Sequence, residues 1–391
     1  MTTKRLLLHT VSRPPPCLIY RNSRPEAAVI RQGRSFTSVT PKNDRTNENN
    51  GSSAKSPNSN TNNMGSSFTS NSNPNEVNKF SSFASHWWDS RSNPLVGMNP
   101  TRIKFLRDVV DTFQPSLSLP TEESTATHQQ LPLHNKRILD IGCGGGVLTE
   151  SLSRLGASLV VGVDASTHVV EVAKQHSFHE NSRLVLQGDG SSSISGGLES
   201  SSSSSSSSRD IRYIGGITVE ELASSWLAEH EKEQQASSSP SYQQHELFDI
   251  ITALEIIEHV PNPSSLLHAA RSLLKPNGIL IVSTINRTVK SYGLAIVAAE
   301  YILGKVPVGT HTWDMFWSPT EVEQMILSSH HHLNNSGDTT GRMKQIALSG
   351  MVLQPPFINM EWKLDGRDTD VNWIGAYQKQ QVSSMATERY K

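Results

Sequence analysis

Cysteine and long apolar runs are both scarce in this chain of 391 residues. The two cysteines are Cys17 and Cys143, and we expect Cys17 to leave with a cleaved N-terminal segment. The mature chain could then form no intramolecular disulfide, which suits a reducing compartment. The best apolar stretch, Tyr292–Leu303, falls well short of the ~20 residues that span a bilayer. We therefore expect neither a disulfide-stabilised nor a transmembrane protein.

An excess of charge of one sign is also missing, since 35 basic side chains stand against 36 acidic ones. The distribution is uneven, however, because residues 1–43 hold eight of the basic side chains and a single acid, Glu26. This Arg-rich, acid-poor balance is typical of a mitochondrial presequence; a disordered basic tail is the alternative. Without residues 1–43 the chain would carry 27 basic and 35 acidic side chains, which argues against nucleic acid as a partner.

Several segments hold too few branched apolar residues to form a core. Residues 44–78 are rich in Asn and Ser, and we expect them to be disordered. Disordered inserts are also predicted near 115–134, 187–210, 231–246 and 328–343, the second of which contains the unbroken run Ser200–Ser208. The remainder of residues 79–391 is long enough for one domain with a sizeable core.

Short β-type segments alternate with helical patterns through this domain. Strands are predicted at Arg137–Ile141, Ser158–Val163, Phe248–Ala253 and Gly278–Thr284. A further strand is favoured at Ile211–Ile214, with Arg183–Leu186 as a short flanking strand. Such alternation predicts a doubly wound α/β fold in which a mostly parallel sheet is covered on both faces.

Two helices are predicted before the first strand. Phe80, Phe83 and Trp87 share one helical face. A second helix is expected to start at Asn99-Pro100 and to run to Thr112, since proline is well tolerated in a first turn.

A glycine-rich turn follows the first predicted strand. Gly142, Gly144 and Gly146 are spaced as G-x-G-x-G, whereas a dinucleotide-binding fingerprint would need its last glycine one position further on. Asp140 ends the first strand, and Asp164 ends the second. With these two acids in place, the pattern resembles the S-adenosylmethionine (SAM) site of class I methyltransferases rather than an NAD site.

Each part of such a site would have its own task. Asp164 would accept hydrogen bonds from both ribose hydroxyls of SAM, and Asp140 would receive the methionine amino group or orient the turn. The glycines would let the backbone approach the ligand where a Cβ would clash. Cys143 is interpreted as a small residue filling the turn rather than as a nucleophile, because no His lies near it in sequence.

Six further motifs, in order along the chain, resemble those of the ubiquinone biosynthesis O-methyltransferases. They are Phe83–Asp89, Asn99–Arg102, Leu254–Pro263, Ser283–Arg287, the stretch Ala298–Leu303 with Val306–His311, and Asp370–Trp373. The resemblance covers about 80–380 apart from the inserts. It implies a seven-stranded, Rossmann-like class I fold with N-terminal helices and a helical insertion after the fifth strand. It also implies SAM as methyl donor, with a polyprenyl dihydroxybenzoate and a demethylated quinol as acceptors.

The resemblance implies particular site residues as well. Arg102 would hold the methionine carboxylate and Leu254 would contact SAM. Glu255, Glu258 and His259 would act in catalysis by binding a divalent cation, Mg²⁺ or else Mn²⁺ or Zn²⁺. If a helix begins at Glu255, all three side chains project on one side; the alternative is that Glu258 and His259 only line a polar loop. The group that takes the phenolic proton is open, and His259 could do so only if it binds no metal.

The implied partners are a polyprenylated phenolic substrate, a lipid surface and a multi-subunit ubiquinone-biosynthesis complex. Tyr292–Leu303 has basic neighbours, Arg287, Lys290 and Lys305, as expected of an interfacial anchor; a buried helix covering the acceptor pocket is the alternative. Peripheral attachment to the matrix side of the mitochondrial inner membrane is therefore predicted. The run His330–His332 lies in a polar insert and is interpreted as an adventitious metal binder.

Two other functions remain open from the sequence. One is methylation of a soluble catechol or phenol. The other is a catalytically silent subunit that binds SAM or lipid as a scaffold, which the intact acids and His259 argue against.

Overall fold

A central sheet organises the described part of the chain, which comprises residues 70–114, 131–187, 210–236, 247–302, 309–328, 342–355 and 361–381 of a computed structural model. Its strands are β1 (Arg137–Ile141), β2 (Leu159–Asp164), β3 (Asp210–Gly215), β4 (Phe248–Leu254), β5 (Leu274–Ile285), β6 (Met343–Leu353), β7 (Trp362–Asp365) and β8 (Asn372–Lys379). They lie in the order β3-β2-β1-β4-β5-β8-β6-β7. The first five are parallel and the pairings of the last three are antiparallel. The doubly wound, mostly parallel sheet is confirmed; the described residues add β7 at one edge, which makes eight strands rather than seven.

Helices cover both faces of this sheet. They are α1 (Pro74–Ser82), α2 (Pro94–Phe113), α3 (Val147–Arg154), α4 (Thr167–Gln187), α5 (Val219–Ala236), α6 (Pro263–Ser272), α7 (Val289–Ser291) and α8 (Pro319–Ser328). A π-helix, Tyr292–Ile302, continues α7 and is called the insertion helix below. Short 3₁₀ turns occur at Ala84–His86, Ile257–His259 and Trp313–Met315.

Alternation along the buried strands supplies the two layers of the core. In β1, Leu139 packs with the layer that includes Val322 of α8, while Ile138 packs with Phe105 of α2 and Leu152 of α3. The sheet is thus apolar on both faces, as expected for parallel strands under helices. Because parallel strands end at one edge, the loops after β1, β2 and β4 meet there.

Three local predictions were wrong for identifiable reasons. Phe80, Phe83 and Trp87 do not share one helix, because α1 ends at Ser82 and a separate 3₁₀ turn follows Phe83. Helix α2 starts at Pro94, with the Asn93 side chain capping it, so Pro100 lies inside the helix rather than in its first turn. An Asn-Pro pair stands both at Asn93-Pro94 and at Asn99-Pro100, and sequence spacing alone did not distinguish these two as the helix start. The segment Arg183–Leu186 belongs to α4 and is not a strand; β3 covers the favoured alternative.

The predicted disordered segments fall mostly outside the described residues, as do the predicted presequence 1–43 and His330–His332. Where they overlap the described part, their limits need correction. Helix α1 begins inside 44–78, and α5 continues into 231–246 as far as Ala236. In the ranges described, none of the helices combines the length and the apolar character needed to cross a membrane.

Candidate active site

A cavity of about 1070 Å³ lies at the carboxyl edge of the parallel strands. Its volume is at the upper end of ligand pockets, so donor and acceptor could share it. Six of the predicted site residues line it, namely Gly142, Asp164, Leu254, Glu255, Glu258 and His259. The other four, Arg102, Asp140, Gly144 and Gly146, are not among the residues that line it.

The glycine turn has a left-handed backbone at each predicted glycine, with φ of 68° at Gly142. Gly142 itself lines the cavity and its N–H donates to the Val163 carbonyl. A Cβ at Gly144 would lie 2.0 Å from the Trp87 indole, and one at Gly146 would lie 2.5 Å from the Tyr213 hydroxyl. Packing against aromatic side chains, rather than approach of a ligand, is thus the visible reason for glycine at positions 144 and 146.

Asp164 both accepts a hydrogen bond from the glycine turn and lines the cavity. Its Oδ2 accepts from the Gly144 N–H at 3.0 Å and its Oδ1 from the Ser166 N–H at 2.8 Å. Burial raises the pKa of this carboxyl, and the two backbone donors oppose the rise. Each oxygen keeps lone-pair capacity for a further donor, as a ribose-binding acid requires.

Asp140 joins three elements beneath the turn. Its oxygens accept from Thr149 Oγ1 of α3 and from Thr252 Oγ1 of β4, both at 2.7 Å. The side chain is buried, and burial raises its pKa to about 6. These hydrogen bonds connect β1 to α3 and β4, and the two roles left open for Asp140 both stay predictions.

Arg102 reaches the loop after β4 from α2. Its Nη2 lies 3.6 Å from Glu255 Oε1, and little of either side chain is exposed. Among the described residues, Nε and Nη2 of Arg102 have no hydrogen-bond partner, and burial lowers the pKa of the guanidinium. Glu255 has a left-handed φ of 54°, a strained conformation for a non-glycine residue that is common at functional sites.

Glu258 and His259 lie in a 3₁₀ turn rather than on an α-helix that begins at Glu255, so the expected helical spacing of the three side chains was wrong. His259 turns its Nδ1 to Glu76 Oε2 of α1, at 2.8 Å. Glu258 is buried, and its Oε2 has no hydrogen-bond partner within the described residues. Burial, followed by the repulsion of Glu255, raises its pKa.

The predicted metal centre is not assembled in the described part of the chain. No group of three His, Cys, Asp or Glu side chains there is arranged to hold a metal ion. Glu255 accepts from Ser283 Oγ at 2.7 Å besides pairing with Arg102, and His259 is directed to Glu76. Two carboxylates and an imidazole are nevertheless suitable ligands for a hard or borderline cation. The unpartnered oxygen of Glu258 is the observation that favours a bound cation here.

Sequence reasoning missed contributions from the N-terminal segment. The Trp87 indole lies against Gly144 and Gly145, and Trp88 Nε1 donates to the Gly145 carbonyl at 2.9 Å. The aromatic motif was visible, but its pairing with the glycine turn was not. Glu76 went unnoticed because it lies in a segment predicted to be disordered.

Two groups of the insertion were also missed. Glu300 is buried, and its Oε1 lies 2.9 Å from Nδ1 of His311. The backbone N–H of Gly309 donates to Glu300 Oε2, and that of His311 donates to Oε1. His311 lines the cavity, and burial lowers its pKa while Glu300 opposes this. Sequence spacing offers no signal for this pair, because only folding brings the insertion to the cavity.

Comparisons with known proteins place the chain among methyltransferases. A family model described as a methyltransferase domain matches residues 103–327. The chain is 35% identical over 301 residues to the ubiquinone biosynthesis O-methyltransferase of Azorhizobium caulinodans, covering 76% of this chain and 90% of the relative. It is 33% identical over 304 residues to that of Cereibacter sphaeroides, covering 77% and 94%. For that of Marinobacter nauticus the identity is 34% over 301 residues, covering 76% and 92%.

Proposed function

This chain belongs to the family of ubiquinone biosynthesis O-methyltransferases, and we propose that it methylates phenolic hydroxyls of polyprenyl dihydroxybenzoate and of demethylubiquinol. It is a SAM-dependent O-methyltransferase by family and by domain. One observation carries the choice of acceptor: the cavity is lined both by Asp164 and Gly142 and by the small apolar residues Ala298 and Ala299 of the insertion helix. A polar donor and an apolar acceptor would thus meet in one space.

Residues of the turn and of α2 would hold the donor. SAM supplies a methyl group on a cationic sulfur. Asp164 would accept the ribose hydroxyls through its remaining lone pairs. The buried Nε of Arg102, which has no hydrogen-bond partner among the described residues, supports its role towards the methionine carboxylate, since buried donors without partners are costly. Orientation of the acceptor oxygen in line with the methyl group and exclusion of water are then the main demands on the chain.

For the cation we propose Glu255, Glu258 and His259 as ligands of Mg²⁺, with Mn²⁺ and Zn²⁺ as alternatives. The buried, unpartnered oxygen of Glu258 and its repulsion by Glu255 are what a cation would relieve. When bound, such an ion would supply Lewis-acid stabilisation of the phenolate. Glu76 would then act as the outer carboxylate that orients the His259 ring.

Methyl transfer from labelled SAM to a prenylated dihydroxybenzoate tests the reaction. The full chain should turn over, lose activity with chelator and recover it with Mg²⁺. Absence of product despite SAM binding would contradict the acceptor class. Faster turnover of an unprenylated catechol would instead favour a soluble substrate.

A calorimetric titration tests the cation independently of activity. Glu258→Gln should abolish Mg²⁺ binding, while Glu229→Gln, an exposed change on α5, should not. Equal Mg²⁺ affinity in the two variants would remove Glu258 from the ligand set.

We also propose that the protein attaches to the matrix side of the mitochondrial inner membrane. Exposed apolar side chains cluster on α7, the insertion helix and the turn after it: Val289 (86% exposed), Tyr292 (49%), Leu294 (50%), Val297 (38%) and Trp313 (36%). The basic neighbours are paired with acids, Arg287 with Glu321 and Lys290 with Asp368. Apolar insertion rather than attraction to anionic lipid would therefore dominate attachment.

Vesicle flotation tests this surface. The double change Val289→Ser and Tyr292→Ser should release the protein from neutral vesicles, while Leu327→Ser, an exposed change on α8, should not. Unaltered flotation of the double variant would exclude this surface as the anchor.

Import and assembly complete the proposal. Isolated mitochondria should import the full chain and remove a segment within residues 1–43; failure of import would contradict the predicted location. In detergent extracts of the inner membrane, the protein should elute well above the 43.0 kDa of the full chain if it joins a multi-subunit complex.

A further inference from the structure

The reaction requires a group that accepts the phenolic proton, and His259 is a poor choice for it. Its Nδ1 is directed to Glu76, and its remaining ring nitrogen is the one proposed to bind the cation. A single imidazole in that state retains no basic nitrogen. Another base must therefore line the cavity.

His311 meets the geometric requirements. It lines the same cavity as Glu255 and His259. Its Nδ1 lies 2.9 Å from Glu300 Oε1, and a carboxylate at that nitrogen fixes the tautomer in which Nδ1 carries the proton. Nε2 is then the acceptor nitrogen, and no other described residue forms a hydrogen bond with it. Glu300 is itself fixed by two backbone donors, Gly309 N–H at 2.7 Å and His311 N–H at 2.8 Å.

We propose that His311 is the general base of the methyl transfer and that Glu300 is its positioning residue. The assignment rests on the proposed function. As the phenolic oxygen attacks the methyl carbon, its proton passes to Nε2 of His311. The C–O bond forms, the S–C bond breaks, and the electron pair of that bond stays on sulfur. The Glu300 carboxylate balances the imidazolium until the proton passes to water.

The surroundings favour a neutral ring before the reaction. Burial lowers the pKa of His311, so the unprotonated form prevails at neutral pH. The charged or titratable groups around it are Glu300 of the insertion, Glu255 and His259 of the loop after β4, and Lys79 of α1, whose Nζ donates to the carbonyls of Gly309 and Thr310. This arrangement is a buried acid behind an imidazole that borders the reaction space, as general-base catalysis requires.

The test compares two acceptors in the full-length enzyme. The first is a prenylated dihydroxybenzoate, and the second is its nitro-substituted analogue, whose phenol is already ionised at pH 8. His311→Gln, which can still donate to Glu300, should lower kcat about 10²-fold or more on the first acceptor and change it little on the second. SAM affinity, measured by calorimetry, should be unchanged. The matched control is His268→Gln on α6, a half-buried residue outside the cavity.

Three results would overturn the assignment. Equal loss of kcat on both acceptors would show that His311 has a structural role. Full activity of His311→Gln on both would show that it has no role in catalysis. If the wild-type enzyme methylates neither acceptor, the proposed function itself fails, and that outcome is distinct because it needs no variant.

The variant Glu300→Gln gives an independent readout. Without the carboxylate the imidazolium is less stable, so the rising limb of kcat against pH should move to lower pH while kcat falls. A lower kcat with an unmoved pH profile would contradict the positioning role of Glu300.

Discussion

Replacing Asp140 by Asn should stabilise this protein at neutral pH, although the residue lies on a central strand at the edge of the sheet that borders the cavity. The carboxyl is buried, and its pKa rises from the ordinary 3.8 to about 6. Because the folded-state pKa exceeds the unfolded one, this group favours folding only while it is protonated. Its favourable contribution is complete below pH ~4 and is lost as the pH rises through ~6.

The magnitude follows from that shift. At 1.36 kcal/mol per pH unit, the ionised carboxylate costs about 3 kcal/mol of stability above pH ~6. Asn removes this cost, and its amide can still hydrogen-bond both hydroxyls, because Thr149 and Thr252 can each donate or accept. The attraction between Asp140 and Arg102 is already contained in the shift.

Urea unfolding of the SAM-free protein at several pH values measures the effect. At pH 8 the Asp140→Asn midpoint should exceed that of wild type by about 1 M, given a slope of about 3 kcal/mol/M. The difference should shrink by about half at pH 5. Asp111→Asn, an exposed change on α2, serves as the control. An equal or lower midpoint for Asp140→Asn at pH 8 would refute the reasoning.

Three further predictions concern the same edge of the sheet. Asp164→Asn should weaken SAM binding about 10-fold to 100-fold by calorimetry, because charge-assisted hydrogen bonds to the ribose contribute about 1.5–3 kcal/mol; unchanged affinity would exclude it as the ribose acid. Glu76→Gln should lower Mg²⁺ affinity about 10-fold to 100-fold, and an unaltered titration would contradict the orienting role of Glu76. Trp87→Ala should lower the free energy of unfolding in urea by about 3 kcal/mol, since the indole packs on Gly144 and Gly145. A decrease below about 1 kcal/mol would show that the glycine turn is stable without this packing.

The sequence pattern correctly predicted those parts of the site that lie on one strand and the turn that follows it. The positions of Gly142 and Asp164 followed from strand ends and spacing, and the parallel sheet followed from alternation of strands and helices. Such features depend on neighbours in sequence. The same reasoning failed at the start of α2, where Asn93-Pro94 and Asn99-Pro100 carry the same helix-start signal.

Other parts of the site depend on contacts between distant segments, which no spacing rule encodes. The left-handed backbone of Glu255 replaces the helix that the spacing of Glu258 and His259 suggested. His311 meets the cavity only because the insertion folds back over it. The composition around Glu76 wrongly predicted disorder for a related reason. A polar segment can become ordered when its few apolar residues pack on an existing core.

Helix α1 contacts two loops that border the cavity, one after β4 and one in the insertion. These contacts explain why a polar N-terminal segment is ordered. Its Glu76 binds His259 after β4, and its Lys79 Nζ donates to the carbonyls of Gly309 and Thr310 in the insertion. Phe80 adds an edge-on contact with the His259 ring at 4.9 Å. The helix thus bonds to the loop proposed to hold the cation and to the loop that carries His311. Any displacement of α1 would disturb both together, so α1 belongs to the catalytic domain.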